Sequence, residues 1–337
     1  MLIECSTPTR IDLAGGTLDI YPLYLFQSGG ITVNIAIDLR STVVIRPRQD
    51  KKIAIQSLDQ NIKRLSKDYH SLKLNDELDL ISRTIKFFKP QKGIDVYTSN
   101  STPKGSGLGS SSSLLIALCS ALLKLNSRHM KRSELINLAS ELEAQNLGIP
   151  TGTQDHFAAV YGGINAVWFD VGEKRIESLV LEKGFQKDLE ERIVLSYTGI
   201  SRSSALTNWK KMKMVIDNRG LARRGMEDTK TTALLMRECL IKGDFDKIGG
   251  YLKKEWENRK RLTPSVTNKK IEKLMQKAKN AGAVSSKLCG AGGGGCMITF
   301  TKPGKREKVV DALRSSGAKV LSFTIDAKGL TTRISMT

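Results

Sequence analysis

A glycine- and serine-rich segment at residues 103–113 (PKGSGLGSSSS) constrains this chain more than any other feature. A strand-like run precedes it at residues 93–98, and an apolar run with helical spacing follows from Ser110. Glycine lets the backbone approach a ligand closely, and the first N–H groups of a helix are unpaired and partly positive. The segment therefore predicts a phosphate-binding loop, although the serines at 110–113 are equally suited to capping the helix with no ligand.

Two common phosphate-binding patterns do not describe this loop. It lacks the GK[ST] ending of the Walker loop, and no acidic residue follows at the distance found in the Rossmann pattern. A loop of a third kind is required, in which serine hydroxyls hydrogen-bond phosphate oxygens or ligate magnesium. The residues predicted to bind the nucleotide phosphates are Pro103, Gly105, Gly107, Leu108, Gly109, Ser110, Ser111 and Ser112.

The chain length of 337 residues favours two domains, which we place at residues 1–190 and 191–337. A hydrophobic content of 40% and a charged content of 26% indicate a globular protein and exclude disordered and fibrous classes. Apolar runs are too short to span a bilayer, and the first residues do not form a signal peptide. Five scattered cysteines indicate reduced thiols, so we expect a cytoplasmic protein.

The net charge of +20 is the unusual property of the composition. Basic surfaces attract nucleic acids, anionic membranes or phosphorylated small molecules. The lysines are spread along the chain with little aromatic interleaving and no nucleic-acid motif, so we interpret them mainly as a solvated surface. We expect neither a nucleic acid nor a membrane partner, and both a monomer and a homodimer stay open.

Residue patterns predict a β-rich first hundred residues, followed by helices with fewer strands. Short runs rich in Ile, Val and Thr predict strands at residues 3–13, 31–37, 42–46, 53–56, 93–98, 164–169, 176–181, 192–196, 296–300 and 320–323. Besides the helix from Ser110, apolar residues at helical spacing predict helices at residues 76–88, 133–147 with Ser133 as the N-cap, 155–161, 203–216, 228–241, 245–261, 268–281 and 305–315.

Three motifs stand in order along the chain: PTRIDLAGGTLD at residues 8–19, the glycine-serine loop, and KLCGAGGGGCMITF at residues 287–300. Together they resemble the signatures of the GHMP kinases, the superfamily of galactokinase, homoserine kinase, mevalonate kinase and phosphomevalonate kinase. The resemblance implies an ATP-dependent small-molecule kinase with a two-domain α/β (α+β) fold. It further implies an N-terminal domain whose fold is similar to that of a ribosomal protein and contains a left-handed β-α-β crossover. The implied C-terminal domain is ferredoxin-like.

Four segments resemble, within that superfamily, the bacterial heptose-phosphate kinases: AGGTLD (14–19), GTQDHFAAVYGGIN (152–165), YTGISRSS (197–204) and GAGGGGC (290–296). Those kinases phosphorylate the anomeric hydroxyl of a heptose that already carries a distal phosphate. The chain lacks the glutamate and the histidine or tyrosine of the first galactokinase motif, which counts against galactose. It also departs from the usual GGGTD of heptose kinases. Galactose, fucose, mannose, a mevalonate-like acid and a non-catalytic sugar-binding role therefore stay open.

The resemblance implies a phosphoryl-transfer site that uses ATP and Mg²⁺. Asp155 matches the catalytic aspartate that follows a glycine-rich turn and takes the proton of the acceptor hydroxyl. Arg10 matches a basic residue of the first signature, which acts on the acceptor hydroxyl or the γ-phosphate and keeps Asp155 ionised. Glu143, twelve positions before Asp155, and Ser111 match magnesium ligands of the family, with Glu141 as the alternative carboxylate.

The resemblance to the heptose-phosphate kinases implies a sugar or sugar phosphate as the acceptor. Asp19 would accept hydrogen bonds from vicinal hydroxyls, and Arg202 would offer a bidentate fork to the distal phosphate. The residues predicted to bind it are Arg10, Asp19, Gly152, Asp155, Thr198, Arg202 and Ser203. The third glycine motif, with Gly290, Gly292 and Gly293, is expected to lie near the active site and support the phosphate loop. His156, directly after Asp155, is interpreted as structural.

Overall fold

The computed structural model describes residues 1–201, 209, 212–217 and 222–335, which form two β-sheets covered by helices. The strands are β1 (Leu2–Ala14), β2 (Gly30–Pro47), β3 (Ile53–Ser57), β4 (Ile62–Ser66), β5 (Ile94–Asn100), β6 (Ile164–Phe169), β7 (Lys174–Ser178), β8 (Ile193–Tyr197), β9 (Ala283–Leu288), β10 (Cys296–Thr301), β11 (Lys319–Leu321) and β12 (Thr331–Ser335). The α-helices are α1 (Asp79–Phe88), α2 (Ser110–Leu125), α3 (Arg132–Leu147), α4 (Gln154–Tyr161), α5 (Lys183–Arg192), α6 (Ala222–Lys242), α7 (Phe245–Leu262), α8 (Lys269–Ala281) and α9 (Arg306–Ser315). Short 3₁₀ helices lie at Leu23–Gln27 and Pro264–Val266.

The larger sheet contains eight strands within the described part of the chain. Its order is β12-β1-β2-β5-β3-β4, while β6 pairs with β2 and β7 pairs with β6. The 18-residue β2 is long enough to pair with β1 on one side and with both β5 and β6 on the other. The last strand, β12, returns to the start of the chain and pairs with β1, where Leu2 lies opposite Ser335.

The smaller sheet has the order β11-β8-β10-β9 and is antiparallel throughout. The chain passes through it as strand, helices, two strands, helix and strand, which is the ferredoxin-like motif that the resemblance implies. The predicted mixed α/β fold class is therefore confirmed. The predicted domain boundary at residue 190 stays a prediction. Strand β12 follows that boundary in sequence but belongs to the larger sheet, which is otherwise formed by residues before it.

Two cores explain how the functional residues come together. The first fills the space between the larger sheet and helices α1 to α4, with Val43, Leu115 and Phe157 among its buried members. The second joins β1 and β2 to the smaller sheet and to α6 and α7. Strand β1 supplies Ile11 and Leu13 to this second core, and the alternate residues Arg10 and Asp12, on its other face, are buried as well.

The structure corrects several predicted elements. The strands predicted at residues 31–37 and 42–46 form the single strand β2, and a register shift opposite Pro8 and Thr9 takes up the break in their pattern. Strands β4, β9 and β12 and helix α5 were not predicted, because their polar residues interrupt the apolar periodicity. Most of the helix predicted at residues 203–216 lies outside the described residues.

Ser133 is not the N-cap of α3, so that prediction is wrong. The helix begins one residue earlier and Lys131 is its N-cap. The Lys131 N–H donates to a carboxylate oxygen of Glu134 over 2.8 Å, which satisfies a backbone donor that the helix itself leaves unpaired. Among the described helices, none is both long and apolar enough to cross a membrane.

Candidate active site

A buried arginine and a carboxylate form the central pair of the site. Strand β1 supplies Arg10, which is 3% exposed, and the first turn of α4 supplies Asp155. Nε and Nη2 of Arg10 lie 2.7 and 2.6 Å from Oδ1 of Asp155, and its Nη1 donates to the carbonyl of Gly107 over 2.8 Å. The guanidinium therefore joins the candidate base directly to the glycine-serine loop.

The pKa values of this pair reflect burial and mutual attraction. Burial raises the pKa of Asp155 above its ordinary value, and the charge of Arg10 opposes this effect. Burial lowers the pKa of Arg10, but the carboxylates of Asp155 and Asp12 raise it above its ordinary value. Arg10 is therefore permanently charged, while Asp155 holds a proton more readily than a free aspartate does.

The glycine-serine loop leaves the start of α2 open. Gly109 is the N-cap with a φ of 77°, and no side chain caps the helix, so the serines are not its caps. The first backbone N–H groups are consequently available to an anion, as helix geometry requires. A side chain at Gly109 is excluded as well, since its Cβ would lie 2.9 Å from Oδ2 of Asp155.

Glu143 of α3 lies buried next to the same helix start. Its Oε2 accepts a hydrogen bond from the hydroxyl of Ser112 over 2.8 Å and lies 3.3 Å from Nε2 of the buried His156. Burial raises the pKa of Glu143, and hydrogen bonds from Ser112 and Ser111 offset part of that effect. Burial lowers the pKa of His156 to about 4, so the imidazole beside Glu143 is neutral at neutral pH.

Asp19 faces the turn that precedes Asp155. Its two carboxylate oxygens accept the backbone N–H groups of Thr17 and Gln154, each over 3.2 Å. Burial, followed by the charge of Asp155, raises the pKa of Asp19 to about 6. The backbone at Gly152 lies so close to Asp19 that a Cβ there would be 2.1 Å from a carboxylate oxygen, so this position requires glycine.

These groups line one cavity of about 310 Å³. Most residues predicted for the site are therefore brought together. Its lining comprises Arg10, Gly16, Thr17, Asp19, Ile20, Gly105, Ser106, Gly107, Gly109, Ser110, Ser111, Ser112, Glu143, Leu147, Ile149, Pro150, Thr151, Gly152, Gln154, Asp155, Arg259, Gly290 and Ala291.

The glycine loop between β9 and β10 packs against the glycine-serine loop. The N–H of Cys296 donates to the carbonyl of Ser106 over 2.6 Å, and a Cβ at Gly290 would lie 2.7 Å from the carbonyl of Gly107. Gly290 also lines the cavity, whereas Gly292 and Gly293 contact Val266 outside it.

Several predicted residues do not line the cavity. Thr198 is buried, and its hydroxyl donates to the carbonyl of Gly295 over 2.8 Å. Leu108 is buried in the core between the sheets, and Pro103 lines a neighbouring cleft. Arg202 and Ser203 lie outside the described residues. Glu141 is exposed on α3 and does not line the cavity, unlike Glu143.

Sequence reasoning missed a buried charge cluster beneath the site. Asp12, which is 1% exposed, accepts hydrogen bonds from Lys287 over 2.7 Å, Arg259 over 3.2 Å and the N–H of Gly290 over 3.0 Å. Burial raises the pKa of Asp12, but Lys287, Arg259 and Arg10 lower it below its ordinary value. The signal was present in β1, where Arg10 and Asp12 stand two apart and so share one face of a buried strand.

The residues beside Glu143 fit a magnesium ion. Its buried carboxylate is flanked by a neutral imidazole and two hydroxyls, so a cation would offset a charge that these neighbours leave uncompensated. Magnesium prefers oxygen ligands and keeps several waters, so few protein ligands suffice. Over the described residues, no group of three or more His, Cys, Asp or Glu side chains is placed to hold a metal.

The chain matches the family descriptions "GHMP kinases N terminal domain" over residues 79–163 and "GHMP kinases C terminal" over residues 236–319. It is 32% identical to the D-glycero-alpha-D-manno-heptose 7-phosphate kinase of Campylobacter jejuni over 335 residues, which cover 97% of this chain and 98% of that protein. The crystal structure of a D-glycero-D-manno-heptose 1-phosphate kinase from Bacteriodes thetaiotaomicron superposes with a TM-score of 0.81 at 25% identity, covering 99% and 100% of the two chains. A putative sugar kinase from Campylobacter jejuni superposes with a TM-score of 0.79 at 30% identity, covering 98% of each chain.

Proposed function

The chain belongs to the GHMP kinases, and on this premise we propose that it transfers the γ-phosphoryl group of ATP to the anomeric hydroxyl of heptose 7-phosphate or a related sugar. The observation that carries the proposal is the Arg10–Asp155 pair, held beside the open N-terminus of α2. The likeness to a heptose 7-phosphate kinase over 97% of the chain supports the choice of acceptor.

The donor phosphates lie, in this proposal, against the loop at residues 105–112. The unpaired N–H groups at the start of α2 and the partial positive charge there suit the polyphosphate of ATP. Arg10 adds a full charge beside the carbonyl of Gly107 and therefore acts on the transferred phosphoryl group. Pro103 and Leu108 would act through the shape of the loop, since neither lines the cavity.

Asp155 is the proposed base. The acceptor oxygen forms the new bond to the γ-phosphorus, the bond from that phosphorus to the bridging oxygen of ADP breaks, and the hydroxyl proton passes to Asp155. Its raised pKa favours proton uptake, while the contact with Arg10 keeps the resting carboxylate ionised. A general base must be ionised at rest and must take up a proton during the reaction, and the surroundings of Asp155 favour both.

Glu143 and the hydroxyl of Ser111 are the proposed magnesium ligands. When bound, the ion supplies charge neutralisation on the phosphate oxygens of ATP. Ser112 donates to Glu143 and therefore fixes the direction of its carboxylate. Because Glu141 is exposed and lies outside the cavity, Glu143 is preferred as the carboxylate ligand.

Asp19 is the proposed ligand for the acceptor hydroxyls, and it lines the same cavity as Asp155. Its backbone partners, Thr17 and Gln154, hold the carboxylate in place through hydrogen bonds. We also propose a cytoplasmic location, which the five free and buried cysteines support.

The test is ADP release by the purified chain with heptose 7-phosphate, mannose, galactose, fucose and mevalonate in parallel. We expect the highest kcat/KM with heptose 7-phosphate. Activity with mevalonate alone would exclude the sugar acceptor. Sugar binding without ADP release from any compound would instead identify a non-catalytic binding protein.

A further inference from the structure

A second cleft, of about 540 Å³, meets the catalytic cavity at the turn before Asp155. The two spaces share Asp19 and residues 149–151. Asn137, Glu141 and Gln145, four positions apart on α3, line one wall of the second cleft. Other lining residues are Tyr21 and Lys174, the latter at the start of β7. No step of phosphoryl transfer uses this cleft.

The basic side chains of the two spaces differ in their partners. Among the described residues, Arg10, Arg259 and Lys174 line the cavity and the cleft. Arg10 pairs with Asp155, and Arg259 pairs with Asp12 and donates to the carbonyls of Leu288 and Gly290. Lys174 pairs with no carboxylate of the described chain, and its ammonium donates to Oδ1 of Asn137 over 3.3 Å. Lys174 is therefore the cation still available to a ligand.

The environment of Lys174 favours an anion. The side chain is partly buried, and burial lowers its pKa, while the charges of Glu141 and Asp19 oppose this effect. A partly desolvated ammonium with one neutral partner gains from a charge-assisted hydrogen bond to an anion. Glu141 and Asp19 also line the cleft. Glu141 is exposed, so water and salt screen its repulsion of that anion, whereas the buried Asp19 requires the anion to lie at the Lys174 end of the cleft, away from its carboxylate.

We propose that this cleft receives the phosphate-bearing end of the acceptor and that Lys174 binds its phosphate. The inference rests on the proposed function, because a sugar with its reacting hydroxyl at Asp155 and neighbouring hydroxyls on Asp19 directs its far end past Asp19. Tyr21 is 60% exposed in the same cleft and presents an aromatic face to the carbon chain of the sugar. Lys174 is thus assigned as a specificity residue for phosphorylated over neutral sugars.

The experiment compares Lys174→Met, which removes the charge and keeps the length, with Lys174→Arg, which retains the charge. KM is measured for heptose 7-phosphate and for the unphosphorylated heptose at saturating ATP, and binding of heptose 7-phosphate is measured by calorimetry without ATP. Lys174→Met should raise KM and Kd for heptose 7-phosphate by roughly tenfold or more, as loss of a charged hydrogen bond predicts. The unphosphorylated heptose and ATP should keep their KM values, and Lys174→Arg should restore most of the affinity.

The matched control is Lys51→Met, because the Lys51 ammonium donates to the carbonyl of Gln91 on the surface, outside both spaces. It should leave every constant unchanged. Equal Kd values for the wild type and Lys174→Met, equal losses with both sugars, or no binding of heptose 7-phosphate to the wild type would each overturn the assignment. Binding that depends on Lys174, but without ADP release, would support the subsite and contradict the proposed function instead.

Discussion

The proposed donor and acceptor ends of the cavity are built from different chemical groups. The donor end consists mainly of backbone, with the loop at residues 105–109 leading into the uncapped first turn of α2. The proposed acceptor end instead depends on side chains from distant segments of the chain, Asp19 and Asp155. A backbone site depends on a short stretch of sequence, whereas a side-chain site depends on how whole elements pack. The two ends are therefore expected to respond differently to mutation.

Arg10 and Asp155 belong to both ends. Arg10 bonds to the loop through Gly107 and to the base through Asp155, while Gly109 touches Asp155 from the donor side. Changes at this boundary should lower kcat. Changes at the donor end alone should alter the KM of ATP, and changes at the acceptor end alone should alter the KM of the sugar.

Asp155→Asn tests the boundary with the largest expected effect. Removing the base should lower kcat by about 10²- to 10⁴-fold, the usual contribution of general-base catalysis. ATP binding, measured by calorimetry, should stay unchanged because the residue does not hold the loop in place by itself. A loss of less than about tenfold would contradict the assignment of Asp155 as base.

Gly109→Ala tests whether the donor loop and the base are in direct contact. The new Cβ would lie 2.9 Å from Oδ2 of Asp155, at a φ of +77° that L-residues avoid. Because small displacements of a reacting group are costly, kcat should fall by about 10²-fold. Gly172→Ala is the control, since Gly172 also has a positive φ of +79° but no atom within 4 Å of the added Cβ. A comparable loss of kcat in the control would show that backbone strain alone explains the effect.

Glu143→Gln affects the donor end. Loss of the carboxylate should weaken the apparent affinity for Mg²⁺ by roughly 10- to 100-fold, with saturating Mg²⁺ restoring part of kcat. The measurement is the Mg²⁺ dependence of ADP release. The exposed Glu141→Gln on the same helix is the matched control. Stronger Mg²⁺ dependence in the Glu141 variant would transfer the ligand role to that residue.

The acceptor end should respond to pH through Asp19, whose pKa is raised to about 6. Above that pH the carboxylate is ionised and both of its oxygens accept hydrogen bonds from hydroxyls, whereas below it the protonated oxygen becomes a donor and the carboxyl group accepts fewer. The acceptor KM should therefore increase as pH falls through 6, by about tenfold for each further unit, with the KM of ATP less affected. In Asp19→Asn the acceptor KM should be high at all pH values. A wild-type acceptor KM that stays constant from about pH 7 to pH 5 would contradict this role.

The same contrast explains which parts of the site were predictable from sequence. The glycine-serine loop and α2 are adjacent in sequence, so glycine spacing and an apolar run were sufficient to predict the loop and the start of the helix, while the phosphate site there stays a prediction. Arg10, Asp19, Glu143 and Asp155 came from the family resemblance, and they line one cavity.

Sequence reasoning could not find contacts between remote segments. Arg259 and Lys287 stand 247 and 275 residues from Asp12, and no local pattern specifies that they meet. Thr198 shows the opposite case, because a matching motif does not reveal that its hydroxyl donates to the carbonyl of Gly295 and that the residue does not line the cavity. Lys174 lies at the start of a short strand, and the polar sequence of that strand gives no indication of a ligand.

The pairing of β12 with β1 has a consequence for biosynthesis. Leu2 to Ser6 of β1 pair with residues 331–335, so the strand that carries Arg10 gains its outer neighbour last. During translation the segment between the two strands must be made before this edge can be covered, and contacts of such high sequence separation form slowly. Until then residues 2–6 of β1 present an unpaired strand edge, which can pair with other chains and favour aggregation.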